Sequence, residues 1–219
     1  MRYRFYLAIL VAAFGVVGCG TANNYLAKKS KTIEYYRIFD LQTTAPRAAI
    51  AKAASNGLGR NVNNAQEAMP IPTGELPEQP GRFKLVNPFE GSRLAALASA
   101  SGGLGVRMVS CEGAVWTARA ERRVSGSNRV EISMCLWQYK QGYRLDQYAQ
   151  LITQEGGLYQ VSRELANAMV GTPEQWTEKA LLDVVRQIHV SSGAKVTLVE
   201  AQPEVGGTPW LDALDSMPR

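Results

Sequence analysis

Between Ala114 and Ile152 apolar and polar positions alternate with a period of two. Ala114, Trp116, Ala118 and Ala120 share one face of a first run, 114–124, with Val115, Thr117, Arg119 and Glu121 on the other. Val130, Ile132, Met134 and Leu136 share one face of a second run, with Glu131, Ser133, Cys135, Trp137 and Tyr139 opposite. Ser125-Gly126-Ser127-Asn128 separates these two runs. Gln141-Gly142 leads into a third, Tyr143 to Ile152, which Gly156-Gly157 ends. Short turns between alternating strands predict an antiparallel meander over about 110–152. With its first turn centred between Gly126 and Ser127, Cys135 is expected to face Ala118.

The period changes elsewhere. Tyr35 to Leu41 is aromatic and β-branched and suits a strand. Thr44 as N-cap, Pro46 in the first turn and Gly57 as a stop predict a helix whose interior, Arg47 to Ser55, is mostly alanine. The clearest helix is Pro173 to Ile188. Thr172 and Gln175 have capping-box spacing, and Trp176, Ala180, Leu181, Val184, Val185 and Ile188 recur on one stripe. Weaker helical patterns cover 92–100 and 160–170, and Lys195 to Glu200 suits a last strand. Residues 61–91 carry Pro70, Pro72, Pro77, Pro80 and Pro88 and predict a long irregular loop. The tail 203–219 is broken by glycine and proline. The pattern therefore predicts an α+β fold in one domain, 35–219, with a mostly antiparallel sheet of the meander plus a C-terminal strand, packed by two or three helices on one face.

The N-terminus carries a different signal. Arg2 and Arg4 precede an apolar run, Phe5 to Val17, of about a dozen residues, the build of an export signal. The run is short of the ~20 apolar residues that a spanning helix needs, and it lacks an Ala-x-Ala cleavage site. Its end, Val16-Val17-Gly18-Cys19, resembles the lipobox of bacterial lipoproteins. That resemblance implies cleavage between Gly18 and Cys19, leaving a signal peptide of 1–18. It also implies a thioether-linked diacylglycerol and a palmitate-type acyl chain on Cys19. Gly20 in place of Asp implies the outer membrane. Residues 19–34 are then a polar tether, in which Lys28, Lys29 and Lys31 are placed near lipid headgroups or simply solvated.

Composition narrows the partners. The chain carries 24 basic and 19 acidic residues, a net charge of +5, and loss of Arg2 and Arg4 would bring it to +3. This mild balance is not the clustered basic surface of a nucleic-acid binder. With Cys19 assigned to lipid, Cys111 and Cys135 remain as an even pair in an oxidising compartment, which points to a disulfide, with two buried thiols as the alternative. The bridge requires the chain to bend back at Glu112-Gly113. A metal site is disfavoured, because His189 is the single histidine and no CxxC occurs.

Chemistry is thin. His189 falls at a helix C-terminus, where the dipole favours a structural imidazolium. No nucleophile elbow, Walker loop or zinc signature is present. Gly57-Leu58-Gly59 and Gly102 to Gly105 lack the strand–loop–helix setting of phosphate loops. Glu121 with Glu131, or Asp146 with Glu155, are the only carboxylate pairs worth weighing for hydrolysis. The aromatic residues Trp137, Tyr139, Tyr143 and Tyr148, interleaved with Lys140 and Arg144, form a candidate binding surface, or else pack under a helix and along sheet edges.

The expected protein is an outer-membrane lipoprotein, held to the membrane through Cys19. Its periplasmic domain is expected to be a non-enzymatic binding or accessory module for an envelope protein or cell-wall component. No catalytic residue, cofactor, metal or nucleic acid is expected. The alternatives are an envelope hydrolase using acidic residues and an immunity-type inhibitor of an envelope toxin.

Overall fold

Ten elements follow one another in a computed structural model that describes residues 29–62, 64–71, 74–88, 107–124, 128–155 and 172–205. They are β1 (Lys29–Gln42), α1 (Arg47–Gly59), β2 (Ala65–Ala68), β3 (Lys84–Val86), β4 (Met108–Ser110), β5 (Trp116–Val124), β6 (Asn128–Tyr139), β7 (Gly142–Glu155), α2 (Pro173–Ser192) and β8 (Lys195–Gln202). The signal segment with Cys19, the weak helices expected at 92–100 and 160–170, and the tail beyond 205 lie outside the described residues.

Six strands form one antiparallel sheet in the order β2-β5-β6-β7-β1-β8, and β3 pairs with β4 in a second, two-stranded sheet. The meander β5-β6-β7 is thus the centre of the large sheet, as the alternation predicts. β1 inserts between β7 and β8, which only long-range pairing can decide. It also begins at Lys29, six residues before the expected Tyr35, so the far end of the expected tether is strand paired with β7. The proline-dense stretch contains β2 and β3, both short, as its prolines allow.

Two helices cover one face of the large sheet. Val130, Ile132, Met134 and Leu136 of β6 pack there with Phe39, Leu41, Leu145 and Leu151, under Ile50, Ala54 and Leu58 of α1 and Leu181, Val184, Val185 and Ile188 of α2. The expected face of β6 is therefore the core face. On β5 the faces hold from Trp116 onward, but Ala114 and Val115 exchange sides. Val115 joins the helix-side core and Ala114 the opposite cluster, because the strand begins only at Trp116, after a turn.

The register of β5 with β6 is one residue off the expectation. Thr117, not Ala118, faces Cys135, and Met134 faces Ala118. A one-residue slip would turn a whole strand over, so burial of Met134 and Leu136 selects this pairing.

α2 is capped as its sequence predicts. The Gln175 backbone N–H donates to Thr172 Oγ1 (3.2 Å), and the Thr172 N–H donates to Gln175 Oε1 (3.0 Å). Gly193, at φ +64°, closes the other end by donating to His189 O (2.8 Å). His189 itself sits beside the Ala194 carbonyl (Nδ1 to O, 2.8 Å) in a structural position. α1 differs in two details. Pro46, not Thr44, stands at its N-cap without a side-chain cap, and the helix runs past Gly57 to Gly59. Gly57 is a contact glycine facing α2 rather than a stop.

Candidate functional site

The sheet's second face is where most of the chemistry-bearing residues converge. Alternation sends Glu34, Tyr36, Ile38 and Asp40 of β1 to this side, with Arg144, Asp146 and Tyr148 of β7, Cys135, Trp137 and Tyr139 of β6, and Glu200 of β8. Over them lies a cover made of β3, β4 and the preceding residues 80–83. Val109, Ala114, Cys135, Trp137 and Tyr148 form its small core, joined by Tyr36, Phe83 and Cys111.

The two cysteines staple this cover to the sheet. Cys111 and Cys135 form a disulfide (S–S 1.98 Å, Cα–Cα 5.5 Å). The chain bends back at Glu112-Gly113, where Gly113 takes φ +75° and the Ala114 N–H closes the turn on Cys111 O (3.1 Å). The positive φ explains the glycine. Nearby, the Trp137 indole N–H donates to Glu112 O (2.9 Å) and the Arg119 guanidinium to Val109 O (2.9 Å).

The four aromatic residues expected as a binding surface are all buried, so they form no exposed surface. Tyr143 points into the helix-side core and donates its hydroxyl to Ala45 O (2.8 Å). Trp137 and Tyr148 lie under the cover. Tyr139 donates to Asp40 Oδ1 (2.6 Å). Burial, helped by the Asp40 bond and charge, raises the Tyr139 hydroxyl to about 12. Burial, then the Glu34 charge, does the same for Tyr148. The spacing that brought these residues together in sequence reflects β-propensity and core packing, because aromatic side chains fill both faces of a central strand pair.

Neither carboxylate pair is arranged as in a glycosidase. Glu121 and Glu131 are direct cross-strand partners, but both are exposed and Arg129 lies between them, at 4.0 and 2.7 Å. Glu155 stands nine residues beyond Asp146 on the same strand, roughly 30 Å away along it. Asp146 is nonetheless the most unusual carboxylate described. It is 1% exposed, its Oδ2 accepts the Phe83 backbone N–H (3.0 Å), and its Oδ1 has no partner. Burial dominates and pushes its pKa up to about 6, against the Phe83 hydrogen bond and the Arg144 and Arg82 charges. The sequence pattern marks Asp146 only as a candidate partner of Glu155 on a strand, so its burial was not legible there.

Two further polar features frame the domain. On the helix side, buried Arg37 donates to Gln202 O (2.8 Å) and Pro203 O (3.1 Å) and pairs with Glu178 of α2. Beside the N-terminal half of β1 opens a cavity of about 750 Å³ lined by Lys31, Glu34, Arg107, Arg129, Glu131 and Gln150 among others. Arg129 pairs with Glu131 there, and Arg107 with Glu34 (3.7 Å). It is a mixed-charge groove at the end of the sheet where β1 begins.

Among the described residues no cluster of three or more His, Cys, Asp or Glu is placed to hold a metal ion, and no helix is long and apolar enough to cross a membrane. Compared with protein-family models and with curated protein sequences, the chain matches none.

Proposed function

We propose that the protein is a lipid-anchored envelope protein whose domain is a non-enzymatic binding or accessory module in the periplasm. The observation that carries this reading is the use of all three cysteines. Cys111 and Cys135 are bonded to each other, which suits an oxidising compartment, and Cys19 is left at the end of a lipobox-like segment. Acylation supplies the anchor, at ~0.8 kcal/mol per buried methylene, with more than one chain needed for stable attachment.

The partner surface in this reading is the mixed-charge groove beside β1. It opens where the chain comes up from the tether, ten residues after Cys19. Its paired cations and anions suit a polar envelope protein or a cell-wall component. Both carboxylate pairs weighed for hydrolysis lack the required spacing or environment, so the hydrolase alternative gains no support from them.

Two measurements test the proposal. Metabolic labelling with a palmitate analogue should mark the wild type and not Cys19→Ala, and the variant should leave the membrane fraction. A photo-crosslinker at Gln150, in the groove, should trap a defined envelope component in cells, whereas one at Lys52, exposed on α1, should not. A Cys19→Ala protein that still labels and sediments with membranes would remove the anchor. Identical adducts from both crosslinker positions would remove the groove.

A further inference from the structure

The cover over the sheet's second face is held by few contacts at residues 80–86, and one of them is made to a carboxylate that water cannot reach. The Phe83 N–H donates to Asp146 Oδ2 (3.0 Å). The Phe83 ring rests on Tyr148 (5.7 Å between centroids) and Tyr36 (6.0 Å). Gly81 lies against the Trp137 indole so closely that a Cβ there would overlap it. Residues 84–86 are also paired with β4, and outside that short ladder and these contacts the segment is open to solvent. Arg82, Lys84, Leu85 and Val86 are exposed, and the ion pairs Arg82–Glu200 and Lys84–Glu112 are surface pairs. A segment with so little buried area opens locally at low cost.

We propose that residues 80–86 are a pH-gated strap, closed over Tyr36, Trp137 and Tyr148 while Asp146 is protonated and opening when Asp146 ionises. The closed strap seals Asp146 from water and gives it one backbone donor, with Oδ1 bare. A carboxylate so placed is costly, whereas a neutral carboxyl is not. The surrounding groups do not cancel the charge. From the strap comes Arg82, drawn outward to Glu200; from its own strand comes Arg144, which faces Asp40 of β1 (3.7 Å). From β8 comes Glu200, which opposes ionisation, and from β6 the disulfide-bonded Cys135, which does not titrate. Tyr36 of β1 is held by Glu200 (2.7 Å), and its hydroxyl stays protonated across this range.

The direction follows from linkage. In the closed state Asp146 keeps its proton up to about pH 6, while a hydrated Asp146 loses it near its ordinary value of 3.8. Below about pH 4 both states are protonated and the strap has no reason to open. As pH rises from about 4 towards 6 the open state ionises while the closed state still holds its proton. The opening equilibrium therefore grows, by up to about 100-fold, and levels off above that. Opening uncovers an aromatic face of Tyr36, Trp137 and Tyr148 around a carboxylate.

The test is hydrogen exchange by mass spectrometry on the full-length lipidated protein in detergent micelles, from pH 4.5 to 7.5, with each rate corrected for intrinsic exchange. Protection of 80–86 should fall by tens of fold from pH 4.5 to 7.5, most of it below about pH 6 and levelling off above, while 130–136 in the helix-side core stays constant. Asp146→Asn, neutral throughout, should keep the strap protected at every pH. A flat wild-type profile for the strap, or a fall shared equally by 130–136, overturns the proposal without recourse to the variant. So does an Asp146→Asn strap that follows the wild-type profile.

Discussion

Gly57 of α1 packs directly on Val184 of α2. A Cβ at position 57 would lie 2.5 Å from the Val184 Cα and 2.8 Å from the Asp183 carbonyl oxygen, both backbone atoms that cannot turn aside. The two helices approach each other at this point because one of them has no side chain there, and the remaining alanines of α1 extend the same close contact. Asp183, beside it, accepts from Asn61 Nδ2 (3.0 Å) and pairs with Lys179 and Arg186.

Gly57→Ala should therefore destabilise the domain by about 1–3 kcal/mol through overpacking. In a thermal melt that is a fall of roughly 2–4 °C per kcal/mol for a domain of this size. Gly59→Ala, two residues on with open space around it, should be neutral or slightly stabilising by up to about 1 kcal/mol. Equal melting temperatures for the two variants would show that the helices separate readily.

Removing the disulfide should release the cover before it unfolds the core. Replacing both Cys111 and Cys135 with Ala should cost about 3–4 kcal/mol on the chain-entropy account of a loop this long. Exchange of 108–114 should rise more than exchange of 130–136. A denaturation midpoint unchanged from the oxidised wild type would mean that the packing of Val109 and Trp137 alone holds the cover.

Arg37 and Arg82 make ion pairs of very different value. Arg37 is buried and ties β1 to α2 and to the end of β8, so Arg37→Ala should cost about 3 kcal/mol, with Glu178 and the carbonyls of Tyr36, Gln202 and Pro203 losing the guanidinium as donor. Arg82 and Glu200 are both exposed, so Arg82→Ala should cost less than about 1 kcal/mol. Urea midpoints of the two variants make the comparison. Comparable losses would contradict the burial of Arg37.

Tyr139→Phe removes the hydroxyl that donates to Asp40 and should lower stability by about 1–2 kcal/mol near pH 8. The phenol is raised in the folded state to about 12 from an ordinary 10. Its contribution is thus complete below pH 10 and lost as pH climbs through 12, because the unfolded chain releases the proton first. The deficit of the variant should shrink across that interval in paired denaturation curves at pH 8 and at stepped alkaline pH. A constant deficit would mean that the hydroxyl is not held protonated by the fold.

How much of this was legible depended on how local each cause is. The capping box of Thr172 and Gln175, the stripe of α2 and the alternation of β5 to β7 arise from contacts a few residues apart, and the sequence shows all of them. Cys111 and Cys135 were legible as a pair by counting, and Glu112-Gly113 as the bend that joins them. The exposed aromatic surface was not there, because Trp137, Tyr139, Tyr143 and Tyr148 have the same composition and spacing whether they face water or a covering segment. For Trp137 and Tyr148 only the placement of β3, β4 and Phe83 distinguishes the two, and for Tyr143 the packing on the helix side. The burial of Asp146 was hidden for the same reason.

The sequence by itself determined the fold class, the capping of α2, the faces of the central strands and the pairing of Cys111 with Cys135. Tertiary structure alone decided that β1 lies between β7 and β8, that Thr117 rather than Ala118 faces Cys135, and that a proline-dense segment folds back to bury one carboxylate. The division has a physical reason. Propensity, capping and alternation are set within one or two turns of chain, whereas strand order, register and the burial of a polar atom are set by which distant surfaces exclude water together.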